Sequence, residues 1–169
     1  MNAEQPRYFG KYRGTVVNTL DPERLARLQA TVPDVFGTEP TTWAMPCVPL
    51  GGPGTCVVAL PPVGAGVWIE FEQGDPDYPI WSGCWFGSAE LPAIALAGQP
   101  GGGQITLITR GQHALVISDI PGPAGGVALR TPTGAHISVT DAGIVIDNGQ
   151  GAAIALTGHT VHVTGVVTS

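Results

Sequence analysis

Charge is scarce in this 169-residue chain: 12% of residues are Asp, Glu, Lys or Arg, against roughly 25% in an ordinary soluble domain. Seven residues are basic and thirteen acidic, for a net charge of −6. A protein that grips nucleic acid through its phosphates needs clustered Lys and Arg, so no nucleic-acid partner is expected. No apolar run approaches the about 18 residues that a membrane-spanning helix needs. The start, Met1-Asn2-Ala3-Glu4-Gln5-Pro6, has neither the basic nor the apolar region of a signal peptide. Assembly in the cytoplasm without stable membrane anchoring is the expectation. Cysteine is limited to Cys47, Cys56 and Cys84, an odd number with no metal-ligand spacing, which reads as small apolar thiols in a reducing compartment. Residues 91–169 contain no aromatic side chain at all.

What the chain has instead is glycine (25) and proline (16), together with 43% hydrophobic residues and a mean hydropathy of +0.21. That apolar content rules out a disordered, solvated segment. Gly and Pro are poor residues inside helices, so the composition points to an all-β chain of short strands and tight turns. A helical enzyme and a coiled coil are excluded.

The two halves differ. Residues 1–90 hold Arg7, Lys11, Arg13, Arg24 and Arg27 with ten acidic residues, and every Trp, Tyr, Phe, Met and Cys. The second half has only Arg110 and Arg130 against Asp119, Asp141 and Asp147. Between them, residues 89–103 are rich in Ala, Gly and Pro without alternation and read as a linker. The expected units are therefore a domain over 1–88, the linker, and a repetitive segment over 104–169.

In the first half, Val67-Trp68-Ile69-Glu70-Phe71-Glu72 alternates with the period of a half-buried strand. Val67, Ile69 and Phe71 share the inner face. A turn at Gly74-Asp75-Pro76-Asp77 leads to Ile80-Trp81-Ser82-Gly83-Cys84-Trp85, making a hairpin. Further strands are expected over residues 14–18, 27–32, 42–45 and 55–60, with a short helical turn over 22–28. Such short strands, broken by Gly and Pro, fit a small closed barrel.

In the second half, two aliphatic residues separated by one position recur seven times. The pairs are Ile105/Leu107, Leu115/Ile117, Val127/Leu129, Ile137/Val139, Ile144/Ile146, Ile154/Leu156 and Val161/Val163. Repetition of this kind signals an elongated array of short strands. A ribbon with one thin apolar stripe and no aromatics cannot bury that stripe against itself. Identical chains winding together would cover it and close the strand edges. A β-sandwich within one chain is the competing arrangement.

A family resemblance enters with a long ordered run of motifs. It starts at Tyr8-Phe9-Gly10-Lys11-Tyr12-Arg13-Gly14, Asn18, Asp21-Pro22 and Arg27-Leu28-Gln29. It continues through Val32-Pro33-Asp34-Val35, Trp43-Ala44-Met45-Pro46-Cys47-Val48-Pro49, the segment 60–72 and the segment 74–83. Residues 8–87 resemble the oligonucleotide/oligosaccharide-binding (OB) domain of phage baseplate assembly protein V, phage tail-spike proteins and type VI secretion VgrG proteins. Ala26 stands where that pattern often has Gly. The resemblance implies a homotrimer with an N-terminal OB-fold barrel followed by an intertwined, trimeric β-helix needle, which sheath contraction drives through a target envelope. It also implies other baseplate proteins as partners, and a place in a phage virion or a related injection particle. Seven residues precede Tyr8, so the tail hub is expected to be a separate chain. The fourteen paired aliphatics are the expected trimer core. The small apolar end, Val163, Val166 and Val167, is the expected seat of a separate PAAR-type tip protein, as in relatives.

No catalytic set is present and no cofactor is expected. Glu70 and Glu72 share a strand face as paired carboxylates would, but a solvated barrel face or an inter-subunit contact accounts for them. No Gly-x-Ser-x-Gly elbow occurs, and Gly101-Gly102-Gly103 lacks the Lys-Ser/Thr of a phosphate loop. Parity places His159 beside Val161 and Val163, where three copies around an axis would approach one another. His162, however, falls on the opposite face, so no metal site is assigned. The alternative to a spike is a ligand-binding module using Trp43, Trp68, Trp81 and Trp85 as stacking platforms for glycan or single-stranded nucleic acid.

Overall fold

The structure is a computed structural model that describes residues 6–97 and 103–165. The chain divides into two compact units, residues 1–90 and 91–169.

The first unit contains β1 (Tyr12–Asn18), β2 (Gln29–Thr31), α1 (Pro33–Phe36), β3 (Met45–Pro46), β4 (Leu50–Gly52), β5 (Thr55–Val57), β6 (Gly66–Phe71) and β7 (Pro79–Trp85). Five of the strands form a sheet in the order β2-β1-β6-β7-β3, with β3 parallel to β7. The chain just before β3 returns to β2. Ala44 N–H donates to the Leu28 carbonyl at 2.8 Å, and Thr41 N–H donates to that of Ala30 at 2.8 Å. These bonds close the sheet into the five-stranded OB barrel. Inside lie Val16, Leu28, Ala30, Val32, Ala44, Val67, Ile69, Phe71 and Trp81. The alternation over 67–71 thus points inward as expected, and β6 and β7 form the expected antiparallel hairpin. Gly14 allows close approach here, because a Cβ would come within 3.0 Å of Ile69 and 3.2 Å of the Thr31 carbonyl.

Three expectations are corrected. Residues 22–28 are not helical, because Arg24 and Ala26 take positive φ angles of 57° and 59°. The Asp21 carboxylate organises that loop instead, accepting backbone N–H bonds from Glu23, Leu25 and Arg27. The helix is α1, with proline at its start, where the missing N–H costs nothing. Residues 55–60 do not line the barrel. Thr55–Val57 pairs with Leu50–Gly52 in a two-stranded hairpin, every residue of which is exposed. Finally, part of the segment read as linker is helical: α2 (Ala93–Leu96), where the Ile94 carbonyl accepts the Gln104 amide at 2.7 Å.

In the second unit, β8 (Gln104–Ile108), β9 (Ala114–Ser118), β10 (Gly126–Arg130), β11 (His136–Thr140), β12 (Gly143–Asp147), β13 (Ala153–Thr157) and β14 (Thr160–Thr164) follow α2. They form one antiparallel meander in which each strand pairs with its sequence neighbours. Every strand has five residues, with its aliphatic pair at the second and fourth positions. The uneven repeat is therefore set by the loops. Those at one sheet margin, residues 109–113, 131–135 and 148–152, are alike. The first residue of each donates its N–H to the carbonyl of the fifth, and the fourth (Gln112, Gly134, Gly151) has positive φ.

Candidate functional site: an uncovered aliphatic face

Cross-strand register turns seven separate pairs into two continuous columns. One runs Ile105, Ile117, Val127, Val139, Ile144, Leu156, Val161; the other runs Leu107, Leu115, Leu129, Ile137, Ile146, Ile154, Val163. Each member lies directly opposite the next. Directly opposed residues of an antiparallel pair share a face, so the sheet gathers all fourteen residues on one side. The middle of the other side carries Thr106, Val116, Ala128, Ser138, Val145, Ala155 and His162, most of them smaller or polar.

Exposure runs opposite to size. Leu115 is half-buried, while the other thirteen aliphatic residues are 38–62% exposed. Ala114, Ala128 and Ser118, whose side chains point the other way, are buried. Among the described residues the unit holds a single sheet, so the sandwich arrangement is not what forms. A face of this extent exceeds the few hundred Å² of contiguous apolar surface usual on a monomer. Covering it would contribute on the order of 1 kcal/mol per half-exposed side chain. Val163 ends one column, while Val166 and Val167 lie outside the described residues.

The barrel's polar groups form pairs of another kind. Lys11 meets Glu70 at 3.0 Å and donates to the Ser82 hydroxyl at 2.7 Å. The Lys11 bond, aided by Ser82, holds the Glu70 carboxyl below its ordinary range despite some burial. Glu72 begins a tight turn after β6 ends, so the face it was expected to share with Glu70 stops before it. Asp21 lies within 2.6 Å of Arg27 Nη2, and the Arg27 guanidinium with three backbone N–H groups holds its carboxyl far below the usual range. His159 sits in the two-residue turn between β13 and β14, where strand parity does not apply. Among the described residues no group of three or more His, Cys, Asp and Glu is placed to hold a metal.

The four tryptophans do not make a common stacking surface. Trp81 is 5% exposed and donates its indole N–H to the Ala26 carbonyl at 3.1 Å. Trp43 lies against Arg27 at 5.7 Å, and Trp68 and Trp85 both lie against Arg13, at 5.4 and 4.8 Å. The Arg13 cluster escaped the sequence reading. Its only signal was the outward parity of Arg13 and Trp68 on strands not yet known to be adjacent.

Residues 12–86 match the type VI secretion system/phage-baseplate injector OB domain family. Residues 95–168 match the phage baseplate V C-terminal trimerisation domain. Comparison with curated proteins returns no match. Both matched families are structural parts of a baseplate, and the second supports homotrimer formation and baseplate association. Among the described residues no helix is long and apolar enough to cross a membrane. A closed injector barrel followed by a trimerisation sheet accounts for most of the chain, which belongs to the phage baseplate V family.

Proposed function

We propose that three copies of this chain turn their aliphatic columns toward a common axis and form the central spike of a contractile phage tail or phage-tail-like injection particle. The spike is mechanical and not enzymatic. The carrying observation is the uncovered face of fourteen aligned aliphatic residues within the segment that matches a trimerisation domain. Seven strands about 4.8 Å apart reach roughly 29 Å, close to the about 30 Å of a bilayer's hydrocarbon core. That reach suits a needle driven through an envelope by sheath contraction. The barrel docks beneath a separate hub protein. The outer edge of β14, at Val163, would otherwise stay unpaired and takes a PAAR-type tip.

Light scattering on the purified chain tests the reading. A mass near three chains is expected, with resistance to SDS at room temperature because separating the chains is one large cooperative event. A stable single-chain species overturns it. Tip binding is tested with the cap protein from the same source, and no affinity for trimers with native ends would remove that part.

A further inference from the structure

Most cations of the barrel are paired: Arg7 with Asp75 at 3.3 Å, Lys11 with Glu70 at 3.0 Å, and Arg27 with Asp21 and Glu23 at 2.6 and 3.0 Å. Arg13 is different. It is exposed on the wall formed by β1 and has no ion pair or side-chain hydrogen bond among the described residues. Its guanidinium nevertheless lies against two indole rings, 5.4 Å from the Trp68 centroid and 4.8 Å from that of Trp85. Trp85 is itself fixed, donating its N–H to the Val67 carbonyl at 3.1 Å and lying against Gly66, where any Cβ would collide with the ring. The rings hold the cation against the barrel wall, while its N–H groups have no hydrogen-bond acceptor among the described residues. Such preorganisation lowers the entropy lost on binding, and Arg and Trp are the side chains that most often anchor interfaces.

The matching anions lie on the same barrel, out of reach. Glu72 and Asp77 flank the β6–β7 turn, exposed and without an ion pair among the described residues. Arg13 faces Trp68, three residues before the end of β6 and so roughly 10 Å from that turn. A threefold assembly of identical barrels cannot use one patch twice. Its contacts join two different patches, and here the two carry opposite charge. A shared trimerisation sheet also raises the effective concentration of each patch for the next.

We infer that the Arg13 edge meets the carboxylates of Glu72 and Asp77 on the next copy, locking the three barrels into a ring. This rests on the trimeric reading above. The chain's single lysine, Lys11, makes the test clean. A carbodiimide joins an amine to a carboxylate in contact, and in the wild type Lys11 is occupied by its own Glu70. On trimers verified by light scattering, Arg13→Lys should give roughly tenfold more covalent two- and three-chain products than wild type, given tethered concentrations of this order. Peptide mapping should join residue 13 to Glu72 or Asp77, and adding Glu72→Gln with Asp77→Asn should return the products to the wild-type level. A trimer without new products overturns the barrel contact alone and leaves the Arg13 edge to another protein such as the hub. A monomer overturns the trimeric reading itself.

Discussion

The barrel and the sheet are made from the same material, short strands with period-two alternation, yet they treat their apolar face in opposite ways. In the barrel, pairing joins distant parts of the chain: β1 meets β6, and the residues before β3 return to β2. That closure brings Val16, Leu28, Ile69 and Trp81 together. In the second unit every strand pairs only with its sequence neighbours. Among the described residues nothing in that unit folds back across the columns, and no aromatic residue is available to fill a core. Connectivity therefore decides which unit is self-sufficient. The barrel buries its apolar face within one chain, whereas the sheet leaves its columns uncovered.

The sharpest way to break this contrast is Ile144→Asp. In the trimer it would place three carboxylates together in an apolar seam without partners. Loss of the three-chain mass in light scattering is the expected result, with the barrel still folded. Since all four tryptophans lie in the first ninety residues, intrinsic fluorescence reports on the barrel alone. Normal trimer yield from this variant would show that the columns do not face the axis. The converse change is Leu28→Ala at a fully buried core position, expected to cost about 3 kcal/mol in the fluorescence-detected transition. Trimer mass should persist, because the columns are untouched.

The same contrast explains what could be read in advance. Each strand of the sheet is a local unit whose aliphatic pair and bounding turn stand next to each other in sequence, so all seven were legible, as was the 67–71 alternation. A closed barrel was legible too, from short strands broken by Gly and Pro, but the residues that close it were not, because closure depends on backbone bridges around Thr41 and Ala44 rather than on any pattern. The run Val57-Val58-Ala59-Leu60 misled for a related reason. Its composition is that of a core strand, but Thr55–Val57 has only the short β4 beside it. The Arg13 stack required knowing that β1, β6 and β7 are adjacent. The recurrent five-residue loops were hidden because Gln112 occupies a position that Gly134 and Gly151 fill in the others.

The barrel should also be the acid-sensitive unit. The Asp21 carboxyl is depressed in the folded state, mainly by Arg27 and further by three backbone N–H groups. A depressed carboxyl contributes stability in full above its unfolded value near about 4 and loses it as pH falls toward the folded value. Fluorescence melts should show the barrel weakening below about pH 4. Asp21→Asn should lower stability at neutral pH and flatten that acid dependence. An unchanged slope in the variant would remove Asp21 from the account. The columns, being uncharged, predict no such term in the sheet.

The smallest effect concerns Ala26. Its φ of 59° is a conformation that costs a residue with a Cβ roughly 1–2 kcal/mol, and the loop holds it there because its carbonyl accepts the Trp81 indole N–H at 3.1 Å. Glycine would release that strain but lose about 0.5–1 kcal/mol through its freer unfolded chain. Ala26→Gly should therefore stabilise the barrel by about 0.5 kcal/mol net, a rise of roughly 2–4 °C for a unit of this size. A lower melting temperature would mean that the loop gains more from alanine's restricted unfolded state than it loses in strain. Gln112→Gly relieves the corresponding strain at φ 64° in the sheet. It should leave the fluorescence transition unmoved while strengthening the SDS-resistant species, which separates the two units by a change of the same kind in each.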